Sequence, residues 1–392
     1  MKILTFTTLY PNAAQPNHGV FVENRLRHLT ASGQVEARVV APVPWFPTRH
    51  PRFGRYAVFA RVPRVEVRHG IPVSHPRFVQ IPKVGMTMQP FLLAAAAIPE
   101  IQRIRKEGHE FDLIDAHYFY PDGVAAAILG CYFNKPVVIT ARGSDISVLP
   151  QFRVQRAMIR WAAKRAAGII TVCQALKEAM LDLNLDGSHI TPLRNGVDLK
   201  LFRPTDRQRA RAELGLQGFT LFSVGQLITH KGHALVIEAL RSMPDVRLLI
   251  AGTGPDRDSL ESLARRLGVL DRVRFLSAIP HADLKRYYGA ADALVLASSR
   301  EGWANVLLES MACGTPVIAS NVWGTPEVVS SPDAGVLMSQ RNAQGIVDAV
   351  HALRTRYPDR DATRRYAERF SWDETTNGQL RLFSEILSHP TR

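Results

Sequence analysis

A chain of 392 residues, 46% hydrophobic and 21% charged, exceeds one ordinary core and predicts two domains of roughly 200 residues each; its composition excludes disordered and collagen-like architectures. Cys131, Cys173 and Cys313 lack CxxC spacing, which argues against a zinc site or disulfide frame and for a reducing compartment. The formal net charge of +14 is uneven: residues 1–200 hold 25 Lys+Arg against 14 Asp+Glu (+11), and residues 201–392 hold 24 against 21 (+3).

In chain order, "MKILTFTTLYP" suits a buried first strand better than a secretion signal. The predicted strands are 2–10, 35–43, 112–118, 136–143 and 168–173 in the first half, then 219–225, 246–252, 272–278, 293–298 and 316–320. Most are continuous apolar runs, the pattern of strands covered on both faces. Helical patterns such as 258–268 and 343–355 fill the gaps, and alternating β and α implies parallel sheets with right-handed crossovers. The pattern runs twice, with a junction near 195–214, so two doubly wound α/β domains facing a cleft are predicted. An S-x-x-E capping box at Ser371 and Glu374 predicts a last helix. The longest apolar stretch, "FLLAAAAIP", is short of the ~20 residues a membrane span needs.

Basic charge is densest over 37–99, with nine Lys+Arg, one acid (Glu66) and interleaved aromatics Trp45, Phe46, Phe53, Tyr56, Phe59 and Phe78. Nucleic acid, an anionic membrane surface or an acidic substrate would all suit such a patch, as would ordinary arginine-rich solvation. No zinc-finger, RRM or helix-turn-helix pattern supports nucleic acid.

The stretch "SREGWANVLLESMACGTP" carries Glu301 just past the strand "ALVLAS", where ligands bind in open α/β sheets. A helix from about Ala304 to Ala312 brings in Glu309, and eight helical residues advance about 12 Å. Two carboxylates so spaced could hold two parts of one extended ligand, since a carboxylate accepts from paired hydroxyls. The helix N-terminus, with Asn305 and the amides near Trp303 and Ala304, offers donors to an anion. The alternative is a buried helix whose first acid is favoured by the dipole. In "SVGQLITHKGH", Lys231 can reach a phosphate and Gly232 allows close backbone approach, though the loop is not a Walker A. Gly19 follows the first strand without a GxGxxG. His117 and Asp145 fall just past strand ends and could position a sugar hydroxyl, or be structural. GxSxG, HExxH and EF-hand patterns are absent, and both "DRD" runs lie in charged, surface-like sequence.

Together "RNGVD", "HKG", "AGTGP", "EGWANVLLE", "ESMACGTPVIASNVWGTPE" and "FSW" resemble, in order, the motifs of retaining GT-B glycosyltransferases of family 4, polysaccharide-biosynthesis type. The resemblance implies an N-terminal acceptor-binding domain (1–194 plus a crossover helix, 372–392) and a C-terminal nucleotide-sugar domain (195–371). It implies that Glu301 contacts the donor sugar, Glu309 the ribose hydroxyls and Lys231 the diphosphate. Gly19 would close near the phosphates, and His117 would lie by the transferred sugar. The implied donor set is Gly19, Gln226, Lys231, Gly232, Asn305, Val306 and Glu309, with no cofactor and no metal. Gln226 departs from the family's frequent arginine, shifting phosphate charge onto Lys231, helix N-termini and Arg142. The implied partners are a nucleotide sugar and a glycan or lipid-linked acceptor, without nucleic acid. The implied setting is cytoplasmic, with the basic 37–99 region, "PWFPTRHPRFGRY" foremost, at an anionic membrane face. A GT-B epimerase or phosphorylase is the nearer rival reading, and a basic nucleic-acid-binding protein the more distant one.

Overall fold

The computed structural model describes residues 1–80 and 85–388. Lys83 of the basic segment, and the part of the predicted 372–392 segment beyond Ser388, lie outside the described residues. The chain forms two compact units, Met1–Arg194 with the segment from Asp373 on, and Asn195–Trp372.

The first unit is built on β1 (Lys2–Phe6), β2 (Glu36–Val40), β3 (Val43–Pro44), β4 (Val65–Arg68), β5 (Ile71–Ser74), β6 (Arg77–Phe78), β7 (Leu113–His117), β8 (Val137–Ala141), β9 (Gly168–Thr171) and β10 (Ile190–Pro192). Its main sheet runs β10-β9-β8-β7-β1-β2-β5-β4, and β3 pairs with β6 apart. The pairings in the main sheet are parallel except β4–β5. The interior strands β7 (LIDAH) and β8 (VVITA) are buried at every position, as continuous apolar strands between helical layers require. Ile3, Val22, Leu26, Val39, Leu113, Val138 and Ile170 form one core with Leu380 and Phe383. Those last two come from the helix Trp372–Ser388, which begins one residue past Ser371. Burying a side chain of the size of Phe383, which is fully buried, contributes on the order of 2–3 kcal/mol.

The second unit has β11 (Phe219–Val224), β12 (Val246–Ala251), β13 (Val273–Leu276), β14 (Ala293–Leu296), β15 (Val317–Ser320) and β16 (Gly335–Met338). They are ordered β13-β12-β11-β14-β15-β16, all parallel. In order of appearance this is 3-2-1-4-5-6, the doubly wound Rossmann order. Leu221, Val236, Leu248, Ile250, Val295, Ile318 and Val350 are buried together in its core.

Both units are therefore Rossmann-like α/β sheets. Their strand order reverses between β1 and β7 in the first and between β11 and β14 in the second. The crevice beyond the carboxyl ends at such a reversal is where open α/β sheets take ligands. Among the described residues, no helix is long and apolar enough to cross a membrane.

Candidate active site

In the second unit the loops after β11 and β14, the strands flanking the reversal, deliver Lys231 and Glu301. The first loop passes a short turn, Thr229–Lys231, and Gly232 before the helix His233–Ala239. Gly232 has φ 74°, and a Cβ there would meet the Ala297 carbonyl oxygen at 2.0 Å. Only glycine lets this loop lie so tightly against the end of β14. His233 braces it from beneath: Nε2 donates to the Gln226 carbonyl at 3.2 Å, and Nδ1 accepts from the Ser223 hydroxyl at 2.9 Å. Burial pushes the His233 pKa down to about 4, so the brace is uncharged. The Gln226 side chain above it is exposed.

The Lys231 ammonium donates to Glu301 Oε1 at 2.6 Å, with 23% and 12% of the two side chains exposed. A charge-assisted bond in so sheltered a place fixes both side chains, and an ammonium has two further N–H donors to offer.

The helix Asn305–Ala312 starts without a side-chain cap, so its first amides are not taken up by a neighbouring side chain. Asn305 Oδ1 accepts from Asn195 at 3.2 Å, and Trp303 Nε1 donates to the Asn195 carbonyl at 3.0 Å. Asn305 and Val306 are half-buried. Glu309, on the next turn, is buried. His281 Nε2 lies 2.8 Å from its Oε1, and the Tyr288 hydroxyl donates to its Oε2 at 2.9 Å. Burial lowers the His281 pKa, but the hydrogen bond and charge of Glu309, with Asp198, outweigh it and the net shift is upward. Burial and the same carboxylate push the Tyr288 hydroxyl well above its ordinary value.

In the first unit Gly19 lies in the loop after β1 and His117 ends β7, the two strands that flank the reversal. Gly19 has φ 70°, precedes the helix Val20–Ala31, and would place a Cβ 2.3 Å from the Leu9 carbonyl oxygen. His117 closes β7 and is 1% exposed. Its Nδ1 accepts from the Arg142 guanidinium at 2.7 Å, so its proton sits on Nε2, 3.2 Å from Asp115 Oδ2. Burial pushes its pKa down to about 4; Asp115 opposes this and Arg142 adds to it. His117 is thus a neutral link with both ring nitrogens engaged. The chain continues through Gln379, which donates to Asp115 at 3.3 Å and accepts from Arg25 at 2.9 Å. Arg142 also stacks over Phe21, 5.3 Å from the ring centroid, and burial pushes its pKa down to about 9.

The sequence reading gave Asp145 a sugar hydroxyl. In the structure it is fully buried, and its oxygens accept the backbone N–H groups of Phe119 (2.7 Å), Arg142 (3.1 Å) and Gly143 (2.7 Å). Asp145 therefore holds the loop that carries Arg142. Asp122, which no motif singled out, accepts from the Thr8 amide at 2.6 Å and the Thr7 hydroxyl at 3.1 Å. Burial pushes its pKa up to about 7. Sequence reasoning also missed Asp115, Arg25, Gln379, His281 and Tyr288. A D-x-H at the end of an apolar strand was the one signal present, for Asp115. Among the described residues, no group of three or more His, Cys, Asp or Glu side chains could hold a metal ion.

Two family models match the chain: "Glycosyltransferase Family 4" over residues 19–201 and "Glycosyl transferases group 1" over residues 205–370. The chain is 29% identical over 369 residues to the putative teichuronic acid biosynthesis glycosyltransferase TuaC of Bacillus subtilis strain 168, covering 91% of this chain and 89% of that protein. Sucrose-phosphate synthase from Thermosynechococcus elongatus is similar in structure with a TM-score of 0.80 at 20% identity, over 99% of each chain. Anabaena HepE in complex with UDP-glucose matches with a TM-score of 0.73 at 24% identity, over 99% of each chain.

Proposed function

The chain belongs to glycosyltransferase family 4 and has the GT-B fold, and on that premise we propose that it transfers a sugar with retained configuration from a nucleoside-diphosphate sugar to a hydroxyl of a glycan or lipid-linked glycan. The observation that carries this reading is the Lys231–Glu301 pair at the strand-order reversal of the second unit. Lys231 turns its two remaining N–H donors to the diphosphate, and Glu301, held by the same lysine, accepts from hydroxyls of the donor sugar. Glu309 takes the ribose diol with the lone pairs that His281 and Tyr288 leave. Val306, beside Asn305 at the uncapped helix start, brings a main-chain amide to the phosphates, Gly232 lets the backbone approach closely, and the Gln226 side chain adds a neutral amide contact.

In this reading the leaving diphosphate oxygen takes the acceptor proton on the face it departs from. The protein contributes positioning and charge stabilisation without a covalent intermediate. His117, neutral and engaged at both nitrogens, aligns Arg142, and Asp145 fixes the loop beneath. No metal enters the proposal. It is tested by thermal shift with UDP-, GDP- and ADP-sugars in EDTA, on the wild type and Glu309→Ala. At least one nucleotide sugar should raise the wild-type melting temperature by several degrees and the variant's by far less. Absence of any shift in the wild type would sink the reading.

The basic 37–99 region leads to a second part of the proposal, that the first unit docks on an anionic membrane face. Trp45 (57% exposed) and Tyr56 (37%) stand out beside Arg49 and Arg52, and each basic residue near such a surface contributes on the order of 1 kcal/mol. Sedimentation with anionic but not neutral liposomes is expected; equal pelleting with both would refute docking.

A further inference from the structure

We propose that the chain forms a two-fold symmetric homodimer through the free edge of the first unit's main sheet, β4 pairing antiparallel with β4 of a second copy. This goes beyond the transferase reading and does not depend on it.

β4 ends the eight-stranded sheet, and among the described residues only β5 pairs with it. The ladder alternates in a readable way. The Arg64 carbonyl accepts from the His75 amide at 2.8 Å, so these two residues face each other as a hydrogen-bonded pair. Along the register, Glu66–Val73 and Arg68–Ile71 are the next such pairs. Val65 opposite Ser74 and Val67 opposite Pro72 fall on the non-hydrogen-bonded positions between them. Two observations agree with this. Pro72 has no N–H to give, and the Ser74 carbonyl is turned to the far side of β5, where it accepts from the Ala41 amide at 2.8 Å. The N–H and C=O groups of Val65 and Val67 therefore point outward from the sheet edge. Their side chains, 54% and 67% exposed, share one face of the strand.

Edge strands are usually guarded by an outward charge, a proline, a bulge or a covering loop. β4 keeps its charges on the face opposite the valines, where Glu66 lies 2.8 Å from His75 Nε2 and Arg68 donates to Glu23 at 2.6 Å. Exposed valines with outward main-chain groups are what an added strand needs. The sequence of β4 itself selects a second copy as that strand. In a two-fold register centred on Glu66, Val65 meets Val67 of the second copy and Val67 meets Val65. Every outward N–H and C=O of these valines is then bonded, and the valines of both copies form one apolar cluster, a favourable cross-strand pairing. A shift of two residues sets Pro63, which lacks an N–H, or His69 in its turn at φ 51° opposite a valine. A shift of one residue sets each valine opposite a residue whose groups face its own sheet. On the other face Glu66 stands opposite Glu66 of the second copy, a repulsion that Arg64 and Arg68 of that copy offset from the diagonal positions. So short a ladder belongs to the weak, concentration-dependent class of interface. Each copy carries a formal charge of +14, so added salt screens a repulsion and favours the dimer.

Sedimentation velocity of the full chain from about 1 to 300 µM tests this, a range that spans weak association. A monomer–dimer equilibrium is expected, with the dimer fraction rising between low and high salt. Val67→Pro removes one outward N–H and no bond of the β4–β5 ladder, and should leave the chain monomeric throughout. The pair Val65→Lys and Val67→Lys keeps the backbone whole and should do the same, while Val67→Thr should still dimerise. Register is read by disulfide formation under oxygen in a Cys131→Ser background, since Cys131 is exposed. Like positions across the two-fold axis stand beyond the ~7 Å Cα separation that a disulfide spans. Val65→Cys and Val67→Cys should therefore cross-link when mixed and fail to cross-link alone. The proposal is overturned if the wild type stays monomeric at the highest concentration or associates past the dimer. It is also overturned if the dimer survives Val67→Pro or the lysine pair, or if either cysteine variant cross-links alone as readily as the mixture.

Discussion

His281 and Tyr288 show how a functional carboxylate is set in place by residues without a motif of their own. Glu309 stands in a recognisable E-x7-E spacing, whereas His281 lies 28 residues earlier in "AIPHADL" and reaches Oε1 only through packing. Phe202 lies edge-on to both rings, with centroids at 5.1 and 6.0 Å, and keeps them in register. A hydrogen bond to a charged group contributes about 1.5 kcal/mol or more. His281→Phe should therefore raise KM for the nucleotide sugar roughly tenfold, with a smaller change in kcat. His281→Gln, which keeps an N–H, should recover most of that loss. The raised His281 pKa gives the effect a sign: its proton is held at low pH, and the added attraction to Glu309 fades as pH rises through that pKa. Donor KM should thus climb as pH rises above the ordinary imidazole value in the wild type and stay flat in His281→Gln. A flat wild-type profile, or a Phe variant with unchanged KM, would remove His281 from the site. Asp115, Arg25 and Gln379 escaped sequence reading for the same reason: their meeting is made by tertiary packing across 264 and 354 positions.

Elements were more legible than residues where burial was complete. Apolar runs mark β7, β8, β11, β12 and β15 to within a residue or two, because a strand shielded on both faces must be apolar throughout. They overshoot where a strand turns into a functional loop. The run 2–10 ends as strand at Phe6, since Thr7 and Thr8 leave the ladder to bond Asp122. The short strands β3–β6 went unseen. β4, VEVR, leaves Val65 and Val67 54% and 67% exposed at an edge and carries too little apolar pattern to stand out. One signal was present: His69 and Gly70 both have positive φ, 51° and 80°, as a tight two-residue hairpin turn demands. That hairpin makes β4–β5 antiparallel in a sheet expected to be parallel. The switch-point loops were legible as places, because sheet chemistry dictates where ligands go. The partners their side chains chose were not.

On the scale of the whole molecule, the two units answer acid differently. In the second, the His233 pKa is about 4 against an ordinary 6.5, so the unfolded chain takes that proton first. Stability falls as pH drops from about 6.5 toward 4, by as much as about 3 kcal/mol, with the raised His281 returning part of it. In the first, His117 acts in the same direction. Asp122, with a pKa of about 7 against 3.8, and Asp145, also raised, gain protons in the folded state and offset it. Acidification from pH 7 to 5 should open amides of Asn195–Trp372 to hydrogen exchange before those of Met1–Arg194. The reverse order would contradict this balance. Gln379 and Phe383 carry a last consequence, for how the chain is made. They complete the polar network and the core of the first unit, yet in chain order they follow the whole of the second. During synthesis on the ribosome the first unit waits unfinished, its Asp115 and Arg25 uncovered, while the second can close. Vectorial folding from the N-terminus, the usual course for two-domain chains, is here reversed in its final step.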